Sequence, residues 1–470
     1  MKPPLMTALI LGLLFTFSAP LKARAQAAPA APGQASATPS SASPKNTDSL
    51  VQLLKSDSPS VRARAARDLG QSHDLSAVPA LAGALKDPND KVRREVVIAL
   101  AQMHSPEVLD ALVTASKDYS DDLRTLAVQC LVGYYTGQIP SPGFTGFMKK
   151  SWERAKGHFT PDTTRIDPGL TVDPKVVTAL DDTMQDARSV KAARQAAKGL
   201  GILVAQAAVP DLVKAAHTSD ENLAREALNA LSKIKDRSAG PPLVDLLDSP
   251  NKNVKRDASV TVGILRANEA LPKLQTLFEN DPDAKDKESA IEGLAYLGQS
   301  VSVPLFTKAL WSNDKPIRAS AAEGLARVAD PTTLPEVERA IISERDQDVK
   351  LAMMFAITAL GKQDYLSQLV SELSSKTRGE VVQAYLIELA RTPGFLLRLY
   401  PYLQSQDAGV RARLCTVLMY AGDATSLEAL DRLSHDPNGE VASESLRAKR
   451  AIRARTATAP QPAEATKTTP

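Results

Sequence analysis

Apolar residues recur along this chain with a helical spacing, and the spacing itself repeats. Between Val61 and Gly70 an apolar anchor is followed four positions on by Ala65, eight positions on by Leu69, and then by Gly70. Steps of four line one face of a helix. The same pattern returns with anchors at Val61, Val92, Leu123, Ala192, Leu223, Val254, Asp286, Ile317, Val349, Val381, Val410 and Val441. Successive intervals run from 29 to 32 residues, except for the 69 residues between Leu123 and Ala192. Val96 and Met353 replace the alanine, and Asp286 puts a charge at the anchor position.

Each period predicts two helices. In the second unit Val78, Leu81 and Leu85 line one face of a helix opened by Pro79, a residue tolerated in a first turn. Asp87, Pro88, Asn89 and Asp90 supply a turn and a helix start, after which Val92, Val96, Ala99 and Leu100 stripe the second helix. Pro210, Pro241, Pro242, Pro272 and Pro304 mark the same opening further on. A pair of helices this short buries neither stripe alone, so neighbouring pairs must stack to complete a continuous core.

The repeated residues are a turn Asp, then Val-Arg, Ala and Leu-Gly. They stand as Asp57, Val61, Arg62, Ala65, Leu69 and Gly70, and again as Asp314, Ile317, Arg318, Ala321 and Leu325. This pattern resembles HEAT repeats of the short bacterial kind shared with phycobilisome-lyase-like proteins, over residues 46–453. The resemblance implies an all-α fold, an armadillo-type right-handed α-solenoid of about twelve helix pairs. It also implies that turn acids pair with the basic residue after each anchor, within and between units, as a ladder. The basic set is Arg62, Arg93, Arg124, Lys255, Lys287, Arg318, Lys350 and Arg411, and the acids are Asp57, Asp90, Asp121, Asp220, Asp248, Asp314 and Asp407. The competing reading is a basic groove for an anionic polymer. Balanced charges at fixed offsets favour the ladder, and paired charges release few counterions.

Composition agrees with close helix packing. Aromatics are 4% against an apolar fraction of 43%, so burial rests on Ala, Leu and Val. With 57 basic and 54 acidic residues the chain is nearly balanced, which argues against wholesale disorder and nucleic-acid binding. Residues 1–25 combine Lys2, an apolar run from Leu5 to Phe17, and Ala23-Arg24-Ala25, which predicts a cleavable signal peptide. A retained anchor is the other reading, although the run falls short of the roughly 20 residues needed to cross a bilayer. Removing Lys2, Lys22 and Arg24 with this leader cancels the formal charge of +3. Residues 26–45 and 456–470 are rich in Ala, Pro, Ser and Thr and are expected to be disordered. Repeats 1–3 are assigned to 46–133 and repeats 4–12 to 173–455.

The stretch 134–172 interrupts the period and concentrates rings. Tyr134, Tyr135, Phe144, Phe147, Trp152 and Phe159 are six of the nine Phe, nine Tyr and two Trp in the chain. They accompany Lys149, Lys150, Arg154 and Lys156. One reading is a degenerate repeat whose rings pack back on the solenoid. The other is a projecting loop in which Phe144, Phe147, Lys149, Lys150, Trp152, Arg154, Lys156 and Phe159 bind a partner or an anionic membrane surface.

Catalytic chemistry is sparse. His73, His104, His158, His217 and His435 have no neighbour at metal-ligand spacing, and no His-Glu pair occurs, unlike the diiron hydroxylases among HEAT-like proteins. Cys130 and Cys415 fall on second helices far apart in the array and are expected to be small buried residues. The sequence therefore reads as an exported, non-enzymatic scaffold, periplasmic or extracellular, without cofactor or metal, whose partner is a protein and not a nucleic acid. Attachment to a membrane surface or envelope polymer, through the 144–159 loop and the basic cluster Arg447, Lys449, Arg450, Arg453 and Arg455, is the alternative. A lyase-like or metal-dependent enzyme is the outsider.

Overall fold

The computed structural model describes residues 47–137 and 165–458. Within them the chain is an α-solenoid of twelve helix pairs without a strand. Second helices run Pro59–Ser72, Asp90–Met103, Asp121–Thr136, Val190–Ile202, Glu221–Ile234, Lys252–Ile264, Ala284–Leu297, Lys315–Val328, Gln347–Ala359, Gly379–Ala390, Ala408–Ala421 and Gly439–Thr458. Units 1 to 12 are numbered by these helices. First helices are shorter, as in Val78–Ala84 and Val209–Ala216. Where prolines crowd them they tighten: Pro241–Asp248 is a 3-10 helix opened by two prolines, and Tyr400–Gln404 is another containing Pro401.

Local chemistry sets the helix ends. Side chains of Asn89, Asp220, Asn251, Asp346 and Asp407 accept hydrogen bonds from the first-turn N–H groups of their second helices, each contributing about 1 kcal/mol. Several second helices stop in a left-handed residue, His73, His104, Lys235 and Ala329 among them. Two of the five histidines are thus helix caps.

The anchor, the alanine and the leucine are buried in most units, with Val92, Val96 and Leu100 all at 0% exposure, while the anchors Val61, Leu223 and Val381 are half-buried. The glycine after the leucine has its own reason. A Cβ on Gly70 would meet the Ala99 Cα at 2.6 Å, and one on Gly263 would meet the Gly293 Cα at 2.7 Å. Successive second helices approach backbone to backbone there, too closely for any side chain.

The solenoid heals across the interrupted period. The second helix of unit 3 packs directly on that of unit 4, where Gly199 leaves room for the Val132 side chain. Ion pairs Lys191–Asp122 (2.7 Å) and Lys175–Asp110 (2.6 Å) tie the two units, and the Asp173 N–H donates to the Tyr135 hydroxyl at 3.0 Å. Tyr134 and Tyr135 belong to the helix Asp121–Thr136, so unit 3 runs past residue 133.

Candidate interaction surface

The expected ladder is present, with different acids. Arg62 donates Nε and Nη2 to both carboxylate oxygens of Asp87, at 2.6 and 2.9 Å, and Nη1 to the Ser56 carbonyl at 2.8 Å. Arg93 repeats this with Asp118 and the Asp87 carbonyl, Arg318 with Glu344 and the Ser312 carbonyl, and Arg411 with Asp436 and the Ser405 carbonyl. Each arginine closes its own turn and clamps the next unit. The Arg62 and Arg411 guanidiniums hold Asp87 and Asp436 below the usual carboxylate range.

These acceptors, at the end of each first helix, were not among the acids picked out by sequence. Of those, Asp121 pairs with Arg124 inside its unit, Asp220 with Arg194, and Asp248 with Lys273. Asp220 and Asp407 are also N-caps. The charged anchor is explained as well: Asp286, 1% exposed, is held by Lys255 and Arg256 of the preceding unit. Arg62, Arg93, Lys255, Arg318 and Arg411 are occupied by acids of the next unit and Arg124 by Asp121 of its own, so these six do not form an open polymer-binding stripe.

Second helices line the inner side of the curve, because side chains of units 8 and 10 meet past unit 9. Arg327 of unit 8 donates Nε to Glu388 of unit 10 at 2.9 Å and Nη1 to Glu323 at 3.1 Å. The Tyr385 hydroxyl donates to Glu323 at 2.5 Å. The Tyr385 ring stacks on Phe355 of unit 9, centroids 4.4 Å apart and planes 3° from parallel. Arg327 also lies 4.2 Å over the Tyr296 ring of unit 7. Burial, then the Glu323 charge, lift the Glu292 carboxyl well above its ordinary value.

Sequence reasoning missed this inner network, although it left a trace. Glu292 and Glu323 occupy equivalent positions in successive units, as do Tyr296 and Arg327. Polar or aromatic residues on the inner stripe of adjacent repeats were the readable signal. Lys235, reachable by water but ringed by protein, completes the surface. Burial and the neighbouring Arg165, Arg391 and Arg327 push its amine down to about 8.

The predicted loop residues Phe144, Phe147, Lys149, Lys150, Trp152, Arg154, Lys156 and Phe159 lie outside the described residues, as does His158. Three residues of the basic C-terminal cluster are engaged within the chain. Arg447 pairs with Asp167 and Glu444, Lys449 with Asp431, and Arg455 donates to the Met419 and Gly422 carbonyls. Arg450 and Arg453 alone of the five are exposed. Helix packing recruits the other three because carbonyls and acids of units 11 and 12 lie within their reach.

Cys130 and Cys415 are free and buried, and burial pushes both thiols up to about 12. His217 bonds Asp245 at 3.0 Å. Among the described residues no group of three or more His, Cys, Asp or Glu is placed to hold a metal ion, and no helix is long and apolar enough to cross a membrane.

A family model of HEAT repeats matches residues 47–132, 177–263 and 271–360, together more than half of the chain. No curated protein matches the sequence. Among solved structures, the complex of CpcE and CpcF of phycocyanin lyase from Nostoc sp. PCC7120 is similar at 18% identity and a TM-score of 0.35, covering 59% of this chain and 92% of that one. An engineered protein is similar at 18% identity and a TM-score of 0.30, over 87% and 99% of the two chains. Kap121p bound to Ste12p is similar at 12% identity and a TM-score of 0.42, over 88% of this chain and 58% of that one.

Proposed function

Because the chain belongs to the HEAT-repeat family, we propose that it is a non-enzymatic scaffold that binds a protein partner on the inner face of its second helices. Export by residues 1–25 places this scaffold in the periplasm or outside the cell. The observation that carries the reading is the network of Glu323, Arg327, Phe355, Tyr385 and Glu388, which is largely buried beneath that face and fixes it. A face whose underlying side chains are locked in one geometry loses little entropy when a partner docks on its exposed residues. The polar groups of the network are already tied to one another, an arrangement suited to presenting a fixed surface rather than to proton transfer.

The test places a photo-crosslinking residue at Arg391, exposed on the inner side, and in a second protein at Ile342, exposed on a first helix. Crosslinked products from native cells are identified by mass spectrometry. A partner captured from Arg391 and not from Ile342 is expected; capture from Ile342 alone would sink the reading. The export part is checked on the same material, where the N-terminus should begin at Gln26.

A second reading gives the 144–159 loop its own role in attachment to a partner or an anionic membrane surface. It is favoured by the direct packing of unit 3 on unit 4, through which the solenoid core is continuous. Flotation with anionic liposomes at low salt, weakening as salt is raised, is the expected outcome.

A further inference from the structure

The chain re-enters the described structure as an extended limb, and this limb lies against units far apart in sequence. The Ile166 N–H donates to the Ile202 carbonyl of unit 4 at 3.0 Å, and the Ile166 side chain is buried. Arg165 reaches the Ser232 carbonyl of unit 5 at 3.5 Å. The Asp167 carboxylate is gripped by Arg447 of unit 12 through two bonds, Nε to Oδ2 at 3.0 Å and Nη2 to Oδ1. Gly169 sits flush on the last helix, where a Cβ would collide with Ala454 and approach the Ala451 carbonyl at 3.8 Å. Its φ of +91° is a second reason for glycine. Units 4 and 5 are thereby strapped to unit 12 by a segment that belongs to neither.

The contacts have the form of peptide recognition: a main-chain bond to a helix-end carbonyl, a buried branched side chain, and a carboxylate in a forked guanidinium. We propose that the surface of Ile202, Ser232, Arg447, Ala451 and Ala454 docks an extended segment of a protein partner bearing an apolar residue followed by an acidic one, and that residues 165–169 are its intramolecular occupant. The inference rests on the scaffold reading and names the chemistry of the partner.

Two observations select an acidic occupant that displaces the limb. Charge is the first: around Lys235, which is exposed, the cations Arg391 and Arg327 outnumber the one acid Glu388, so the approach carries net positive charge. Local stability is the second. Between Arg165 and Asp173 the chain forms one turn, Leu170 N–H to the Asp167 carbonyl, and Ile166 makes its one main-chain bond to a helix of the solenoid. A segment held by so few main-chain bonds opens at low cost compared with the helices around it. Displacement then exposes Arg447 to the incoming carboxylate.

The experiment uses the full chain and a fluorescently labelled peptide of residues 165–172, read by anisotropy. With its own limb in place the wild type binds this peptide weakly. Asp167→Ser frees the clamp and is expected to tighten binding by about tenfold or more, because the bound limb lowers the fraction of competent sites. Adding Arg447→Ala to Asp167→Ser abolishes binding, and so does Asn in place of Asp in the peptide. Equal binding by wild type and Asp167→Ser, absence of binding to either, or undiminished binding of the Asn peptide overturns the proposal. If circular dichroism shows Asp167→Ser to be unfolded, Asp167→Asn replaces it. Unfolding of both overturns the proposal too, since the limb would then be core. A chain that ignores the peptide yet crosslinks a partner at Arg391 loses this inference and keeps the scaffold reading. Peptide binding without any inner-face crosslink loses the scaffold reading instead.

Discussion

At the scale of single residues, two features give opposite expectations for changes that look alike. Gly293 lies where the second helices of units 6 and 7 touch, and a Cβ there would collide with the Ser259 carbonyl. The obstacle is backbone and cannot swing aside, so Gly293→Ala should destabilise by about 1–3 kcal/mol. Gly83 faces open space in a first helix, so Gly83→Ala should be neutral or stabilise by up to about 1 kcal/mol. Urea titrations of both variants check this; an equal loss in the two would refute the close-approach argument. A second residue-level case is Asp181, which lies beside Asp211 of the next unit's first helix. Burial and the Asp211 charge raise Asp181 to about 6, while Lys214, 2.7 Å away, holds Asp211 down. The folded chain takes up this proton near pH 6 and the unfolded chain only near about 4. Stability from this group is therefore gained as pH falls from 7 towards 4 and lost as pH rises through 6. Asp181→Asn should flatten that part of the melting-temperature profile relative to wild type.

At the scale of elements, the arginine that closes each turn is the connection between neighbouring units. Arg93, with its side chain 2% exposed, bridges Asp118 and the Asp87 carbonyl and lies 4.1 Å over the Tyr119 ring. Arg93→Ala strands a partly buried carboxylate, so a loss of about 3–5 kcal/mol is expected. Arg188, 66% exposed and paired with Asp186, should cost under about 1 kcal/mol when changed to Ala. Chemical denaturation of the two variants side by side decides whether the ladder clamps the stack. The ladder also marks what was legible in the sequence. Val61, Ala65 and Leu69 revealed the helix stripe because burial acts on every unit alike, so the period survives local substitutions. Arg62 was visible at a fixed offset for the same reason. Its acceptor Asp87 was not, because Asp87, Asn89 and Asp90 crowd one turn and only the folded path shows which of them faces back to the preceding unit.

At the scale of the whole chain, the contacts that matter most are those the period does not encode. Arg327 with Glu388 and Asp167 with Arg447 join units that are not neighbours, and their meeting depends on the curvature accumulated over several stacked pairs. Small rotations at each interface sum to a geometry that no single repeat specifies. The interrupted stretch was legible as an irregularity, but its returning limb gave no sign in sequence of reaching unit 12. This separates two functions of the interruption that a deletion can tell apart. Replacing residues 143–159 with a short Gly-Ser linker removes the ring-rich loop and leaves residues 165–172 in place. Unit 3 already packs on unit 4 through Lys191–Asp122 and the Gly199 contact. Helicity by circular dichroism and the melting temperature should stay close to wild type, while any partner or liposome binding carried by the loop is lost. A collapse of the melting transition would mean that the rings of that stretch pack back on the solenoid, and the loop would then belong to the core rather than to a binding surface.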